Sequence, residues 1–260
     1  MKETFRIISD GACDISKEEA ARWNVTIVPF YVSFQDKIFV KNMKLRRFYQ
    51  RLTELPKKRV RMVPPRVSDY VKVFLPLAEA GIPILCLCMD GTVSRSLCHA
   101  QIARQQILER LPKAVIEVVD SHADPALHML FVKEASRLQK DGFSFYGTTA
   151  RLKRIRGRGK AFFISCKSGY RLKRKRHAVK ESLDQLMRYL KKETPKRFSI
   201  SIGYGYNYGE AANLRSMVLK KLRALGYPIT EKDVPLYRMG RVESLKTGPA
   251  PLGVAILKHA

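Results

Sequence analysis

A short apolar run in the first half of the chain gives the clearest structural signal. Residues 82–88 are bounded by Gly81 and by the pair Asp90 and Gly91, and they are too few for a typical helix. Such a run predicts a strand that is buried on both faces, as in a parallel sheet. In residues 97–111 the apolar positions return at helical spacing, which predicts a helix with one buried stripe. A polar turn therefore joins a buried strand to a helix N-terminus.

The alternation of strand and helix extends through residues 1–142. The pattern predicts further strands at 5–9, 25–32 and 115–119 and further helices at 17–23, 44–52, 70–77 and 127–138. Ser16 and Glu19 have the spacing of a capping box, and Asp124 before Pro125 fits an N-cap followed by a first-turn proline. Pro29 within 25–32 favours an edge position or a bulge. Because parallel strands need crossover helices, this order predicts a parallel α/β/α sheet.

Residues 143–260 show a mixed order of strands and helices. Strands are predicted at 161–165, 198–203, 234–239 and 253–257, with helices at 179–190 and 211–225. The sequence therefore predicts two α/β domains, a parallel N-terminal one at 1–142 and a second, smaller, mixed one at 143–260.

Composition narrows the class of protein. No apolar run approaches the ~20 residues of a membrane-spanning helix, and the N-terminus lacks the apolar core of a signal peptide. The cysteines are odd in number, five, and Cys86 and Cys88 fall inside the buried strand, so reduced core thiols of a cytoplasmic protein are expected.

The net charge is the unusual feature. Fifty Lys and Arg residues against 23 Asp and Glu give +27, which attracts polyanions such as nucleic acid. The densest basic stretch is 151–180. No aromatic residue alternates with the basic ones in 171–177, so a stacking platform for single strands is not evident there. A solvated or partner-binding face is the favoured interpretation.

Ser94 is the candidate ligand-binding residue of the central turn. An anion at a helix N-terminus is stabilised by free N–H groups and partial positive charge. Three loops, 10–14, 90–96 and 120–124, follow predicted parallel strands at their carboxyl ends, where ligands usually bind. The alternative is that Ser94 only caps its helix. His122 and His128 are six residues apart without a third ligand, so no metal site and no catalytic set are predicted.

Several segments, in order, carry a family resemblance: RIISDGACDIS, NVTIVPFYVSF, VSDY, VVDS, SIGYGYNYGEA and TGPAPLGVAIL. Through them the chain resembles the DegV family of bacterial fatty-acid-binding proteins. The resemblance implies two DegV-like α/β domains with a long-chain fatty acid in a tunnel between them. It implies a carrier rather than an enzyme, with the fatty acid as ligand, no cofactor, and a fatty acid kinase as partner.

The resemblance also implies the residues around the ligand carboxylate. The family's serine of an S-G-S motif corresponds to Ser94, within Ser94-Arg95-Ser96, and its T-S-x-P-S threonine corresponds to Met62. A histidine before the C-terminal T-G-P corresponds to Lys246. Losing the threonine hydroxyl costs about 1.5–3 kcal/mol, or about tenfold or more in affinity. Arg95 and Lys246 would add attraction, whereas Asp90, where the family has a hydroxyl, would add repulsion.

A second departure follows Ser165, where the family has a further segment that this chain lacks, so the second domain is predicted to be shortened. Two hypotheses follow. One is a fatty-acid carrier with Ser94, Met62, Ser96, Arg95 and Lys246 at the head group. The alternative is a divergent relative that has lost lipid binding and binds nucleic acid or another polyanion through its basic surface.

Overall fold

A computed structural model describes residues 5–34, 38–39, 45–54, 60–164, 172–193, 197–205, 207–248 and 251–259. The strands are β1 (Arg6–Asp10), β2 (Val25–Val28), β3 (Tyr31–Phe34), β4 (Ile38–Phe39), β5 (Val60–Val63), β6 (Ile84–Cys88), β7 (Ile116–Asp120), β8 (Gly159–Ile164), β9 (Phe198–Tyr204), β10 (Leu236–Arg238) and β11 (Leu252–Lys258). The α-helices are α1 (Lys17–Trp23), α2 (Leu45–Glu54), α3 (Val67–Glu79), α4 (Ser96–Arg110), α5 (Pro125–Lys140), α6 (Phe145–Ile155), α7 (Leu172–Glu193), α8 (Tyr208–Ala224) and α9 (Arg241–Thr247).

The chain divides into two compact units, residues 1–42 with 61–157 and residues 43–60 with 158–260. The division lies at 157 rather than at the predicted 142 because α6 packs within the first unit. The ring of Phe145 meets that of Phe5 edge to face, with centroids 5.8 Å apart. Phe145, Leu152 and Ile155 are all buried.

The first unit is built on a parallel sheet in the order β2-β1-β6-β7. Every residue of β6 is buried, as the apolar run predicts. Side chains of α3 and α4, among them Tyr70, Phe74 and Ala100, form one core with Cys86 and Cys88. Helix α5 packs against β1, and α6 packs against β7. The predicted parallel α/β sheet is therefore confirmed for this unit.

A capping box and a proline explain where the first helix begins and where the second strand ends. Ser16 Oγ accepts the N–H of Glu19 at 3.1 Å, and a Glu19 carboxylate oxygen accepts the N–H of Ser16 at 2.9 Å, so the predicted capping box begins α1. The predicted strand 25–32 is two strands, because Pro29 lies between β2 and β3. β2 is an edge strand of the parallel sheet, and β3 joins a separate sheet in the order β4-β3-β5.

The second unit contains a mixed sheet in the order β10-β9-β11-β8. β10 runs parallel to β9, whereas β11 runs antiparallel to both β9 and β8. Its core joins one face of this sheet to α7 and α8, with Leu186, Ile202, Leu214 and Val254 fully buried or nearly so. The mixed α/β order predicted for this half of the chain is confirmed. None of the described helices is long and apolar enough to cross a membrane.

Candidate functional site

Three loops meet at the carboxyl edge of the parallel sheet, as the sequence predicts. Asp10 ends β1, and its Oδ2 accepts the N–H of Met89, just after β6, at 3.0 Å. Asp120 ends β7, and its Oδ2 accepts the N–H of Gly91 at 3.2 Å. The N–H of Asp90 donates to the carbonyl of Ala123 at 3.2 Å. Hydrogen bonds therefore join the ends of all three strands into one site.

Ser94 lies at the N-terminus of α4, half-buried, two residues before the helix begins. Its Oγ accepts the N–H of Ser96 at 3.1 Å, so it satisfies one of the helix's free donors without occupying the N-cap position, which is Arg95. A hydroxyl has one proton and two acceptor lone pairs. The O–H of Ser94 can therefore donate to a ligand while its oxygen accepts the backbone N–H of Ser96.

Ser96 was predicted to line the head-group site, but its side chain is fully buried and directed into the fold. Ser96 Oγ donates to Asp10 Oδ2 at 2.6 Å, because a carboxylate only accepts. Tyr70 Oη lies 2.7 Å from Ser96 Oγ. Since the single proton of Ser96 is directed at Asp10, Tyr70 is the donor of this second bond. The chain Tyr70–Ser96–Asp10 fixes the first turn of α4 to β1.

The pKa of Tyr70 is consistent with that role as a donor. Burial raises the pKa of the Tyr70 phenol well above its usual value, and the acidic groups of Cys88 and Asp10 raise it further. The pKa of Cys88 is also raised well above its ordinary value, first through its contact with Cys86 and then through burial. Both groups are therefore protonated at neutral pH, and the phenol proton is available to Ser96.

His128 completes the surroundings of Asp10. Its Nε2 lies 3.2 Å from Asp10 Oδ1 and 3.0 Å from Ser9 Oγ, and its Nδ1 lies 3.0 Å from Ser121 Oγ. All four side chains are at most 1% exposed. Sequence reasoning considered His128 only as a metal ligand with His122 and missed this role. The spacing of residues along the chain does not show it, because its partners come from β1 and from the end of β7.

The remaining predicted site residues come from other elements. Met62 lies half-buried on β5, three residues before Pro65. The carbonyl of Pro65 accepts the Nδ1–H of His99 at 2.7 Å, which ties the loop after β5 to the first turn of α4. Lys246 belongs to α9 in the second unit, and its side chain lies outside the described residues. Arg95, at the N-terminus of α4, is exposed.

An acidic cluster lies at the same edge of the sheet. Ligand atoms of Asp90, Asp120 and His122 lie within 4.8 Å of one another. Asp90 Oδ1 accepts both the N–H and the O–H of Thr92, at 2.8 and 2.7 Å, and Asp120 Oδ1 accepts the N–H of His122 at 2.8 Å. Hydrogen bonds within the loops account for this arrangement, and we assign no ion to it.

The site suits a small anion. The N-terminus of α4 supplies partial positive charge, Arg95 supplies a full one, and the Ser94 O–H supplies a donor. The carboxylate of Asp10, which would repel an anion, is buried and bonded to Met89, Ser96 and His128. These groups favour a carboxylate or a phosphate at the N-terminus of α4, whereas the carboxylates of Asp90 and Asp120 at the same edge oppose an anion.

The family model and the curated relatives that match this chain belong to the same family. The model of the DegV family, described as "Uncharacterised protein, DegV family", matches residues 4–174. A DegV domain-containing protein of Streptococcus gordonii is 28% identical over 173 residues, which cover 63% of this chain and 58% of that protein. One of Clostridium acetobutylicum is 25% identical over 142 residues, or 54% and 48% of the two chains. The chain thus spans about half the length of the curated relatives it matches.

Solved structures match along nearly the whole chain. A stearic acid-binding protein from Eubacterium ventriosum is 25% identical, with a TM-score of 0.85 and 98% of both chains covered. A DegV family protein from Thermus thermophilus, described as binding fatty acid, is 20% identical, with a TM-score of 0.79 over 98% of this chain and 99% of that one. The second likeness shows the fold alone. Together they confirm the predicted two-domain DegV-like fold.

Proposed function

The chain belongs to the DegV family, and we propose that it is a cytoplasmic carrier that binds a long-chain fatty acid with its carboxylate at Ser94. The observation that carries the proposal is the half-buried Ser94 hydroxyl, free to donate at the N-terminus of α4. The similar protein of Eubacterium ventriosum, which binds stearic acid, supports a fatty acid as the source of the carboxylate.

The substitutions around the head group define how this carrier would differ from its relatives. Met62 supplies no hydroxyl, so one hydrogen bond to the carboxylate is lost. Arg95 supplies a cation beside Ser94, and Lys246 belongs to the same proposed set. The carboxylate of Asp90 is already bonded to Thr92, although its charge still opposes that of the ligand. The affinity of this chain for a fatty acid should therefore depend more on charge, and less on hydroxyl groups, than the affinity of a site where threonine occupies the position of Met62.

We further propose that the bound acid is presented to a partner kinase that converts the carboxylate to an acyl phosphate. This chain would then act as a carrier and contribute no catalytic group. The kinase rests on the family resemblance, and the exposed position of Arg95 beside the proposed head group is compatible with access by a partner.

Native mass spectrometry of the purified protein, followed by lipid extraction and titration with stearate, tests the carrier. Wild type should retain or take up one fatty acid. Ser94→Ala should lower stearate affinity about tenfold or more, because a hydrogen bond to a charged group is lost. Ser68→Ala removes an exposed serine hydroxyl on α3 and is the matched control. Equal affinity of Ser94→Ala and wild type would exclude Ser94 as the carboxylate ligand.

A second candidate function is binding of nucleic acid or another polyanion, and the net charge of +27 favours it. Its signature is an affinity that falls steeply as salt rises. A chain that stays free of lipid after incubation with mixed long-chain acids, but binds a polyanion, would support this candidate over the carrier.

A further inference from the structure

We propose that a groove of the second unit, between β8 and α7, binds single-stranded nucleic acid. The groove, called here the β8–α7 groove, encloses about 350 Å³ and is lined by Lys160, Phe162, Gln185, Arg188, Tyr189 and Lys192. The inference rests on the second candidate function and names its site. It does not depend on whether the first unit binds a fatty acid.

Three exposed cations line this groove. Lys160 extends from β8, and Arg188 and Lys192 lie one turn apart on α7. Within the described residues, no carboxylate forms an ion pair with any of the three. Their charge is therefore not neutralised by the protein there. When such cations neutralise the phosphates of a nucleic acid, they release its counterions, which favours binding and makes the affinity fall as the salt concentration rises.

Two aromatic rings lie among the cations. The rings of Phe162 and Tyr189 meet edge to face with centroids 6.2 Å apart, and both side chains are half-buried. The Tyr189 hydroxyl donates to the carbonyl of Arg158 at 3.4 Å. The ammonium groups of Lys160 and Lys258 lie 5.7 and 5.1 Å from the Tyr189 centroid. These contacts hold the rings in place, and the proposed stacking uses the part of each side chain that lines the groove.

The combination of groups favours nucleic acid over other anions. An acidic peptide requires cations but gains nothing specific from stacking rings, whereas a nucleotide strand uses both. A membrane surface is bound by apolar side chains that protrude and insert, and here the rings line a concave groove. The Gln185 amide donates one N–H to the exposed Glu181 carboxylate at 3.5 Å, and its second N–H and its carbonyl oxygen can pair with a base edge.

The spacing along α7 fits an extended ligand. Gln185, Arg188, Tyr189 and Lys192 occupy positions i, i+3, i+4 and i+7, so they lie on one face over roughly 10 Å of helix. The basic run 172–177 begins the same helix. The sequence did not indicate a stacking platform because Phe162 comes from β8 and is far from the basic run along the chain.

Fluorescence anisotropy of a labelled single-stranded polyuridylate RNA with the full chain tests the inference. The double variant Arg188→Glu with Lys192→Glu should weaken binding about tenfold or more and reduce the salt slope by about two, one for each lost phosphate contact. The matched control, Lys72→Glu with Lys113→Glu, makes the same charge change at exposed positions of the first unit. It should weaken binding much less.

Substitution of Tyr189 tests stacking separately from charge. Tyr189→Leu should weaken RNA binding about fivefold or more without changing the salt slope, because a base loses its aromatic partner. Tyr189→Phe keeps the ring and should bind as wild type does. Circular dichroism and thermal melting establish that each variant is folded.

Three results would overturn the inference while leaving polyanion binding intact. Equal losses from the groove and control doubles would mean that net charge alone attracts RNA. Polyglutamate competing as well as RNA, with Tyr189→Leu unchanged, would mean a nonspecific anionic surface. Groove variants that abolish cosedimentation with phosphatidylglycerol vesicles but not RNA binding would assign the groove to membranes instead. Absence of RNA binding by wild type would reject the inference and would leave the second candidate function only with polyanions other than RNA.

Discussion

Asp10 organises the candidate site although it is buried from any ligand. Its two carboxylate oxygens accept the N–H groups of Ala12 and Met89 and the O–H of Ser96, and His128 lies at 3.2 Å. A buried charge is costly unless it is paired and hydrogen-bonded. Satisfying this one joins β1, the loop after β6 and the first turn of α4. The position of Ser94 is therefore set by a residue that does not face the ligand.

The Ser96 hydroxyl can be tested as the link between Asp10 and α4. Ser96→Ala removes one buried hydrogen-bond partner from Asp10 and one from Tyr70, so the free energy of unfolding should fall by about 1–3 kcal/mol. Stearate affinity should fall as well, because the turn that carries Ser94 loses its anchor. Urea unfolding and stearate titration measure the two effects.

Ser96→Thr is the conservative control for this experiment. It keeps the hydroxyl and should retain most of the stability and the affinity for stearate. Tyr70→Phe removes the donor to Ser96 but leaves the bond between Ser96 and Asp10, so its loss of affinity should be smaller than that of Ser96→Ala. Wild-type stability and affinity in Ser96→Ala would show that the link is dispensable.

At the residue scale, sequence and resemblance indicated Ser94 and its two neighbours but not the direction of each side chain. Ser94 and Ser96 are two residues apart, and α4 begins at Ser96. The first therefore faces the turn, and the second faces the core. That outcome depends on the residue at which the helix begins, which sequence patterns locate poorly. Asp10 lay in a predicted ligand loop, but its partner Ser96 is 86 residues away.

At the element scale, the pattern was informative wherever the buried face is apolar. β6, α4 and α5 were predicted nearly to their observed bounds, since most of their inward positions are apolar. Helix α6 was missed because two of its buried positions are Thr148 and Thr149, and α9 because Glu243, Ser244 and Thr247 are buried. Polar residues on an inward face remove the hydrophobic period on which the prediction depends.

Asp124 tests a cap that the sequence did predict. Its Oδ1 accepts the N–H of Leu127 at 3.0 Å and begins α5, one turn before His128. Asp124→Ala should lower the free energy of unfolding by about 1 kcal/mol, because a helix N–H loses its acceptor. Asp124→Asn keeps that acceptor and should lose little. If Asp124→Asn lost as much stability as Asp124→Ala, the effect would come from the charge of Asp124 near the helix N-terminus.

At the scale of the whole molecule, composition gave the sign of the charge but not the places where it acts. The first unit places Ser94 and the exposed Arg95 at the N-terminus of α4, where we propose that the ligand carboxylate binds. In the second unit, the cations of the β8–α7 groove are brought beside Phe162 and Tyr189 only by folding. Basic residues that are scattered along a sequence indicate a particular class of partner only when the fold places other functional groups, such as aromatic rings, beside them.

Buried thiol and phenol groups give the whole fold a sensitivity to alkali. Burial raises the pKa of the Cys13 thiol from its ordinary 9.0 to about 12. Between these two pH values the unfolded chain has lost the proton that the folded chain keeps. The unfolded state then binds fewer protons, so stability is full below about pH 9 and declines as pH rises toward about 12, by up to about 1.4 kcal/mol per pH unit.

Cys13→Ser removes this titration, since a serine hydroxyl does not ionise in that range. Its free energy of unfolding should start lower at neutral pH, because a polar group replaces a buried thiol, but should then fall less steeply with pH than that of wild type. Tyr70 and Cys88 are shifted in the same direction, so a residual slope should remain. Cys98→Ser changes an exposed thiol and should keep the wild-type slope. Urea unfolding at a series of pH values measures all three proteins, and parallel slopes for Cys13→Ser and wild type would mean that Cys13 does not couple ionisation to unfolding.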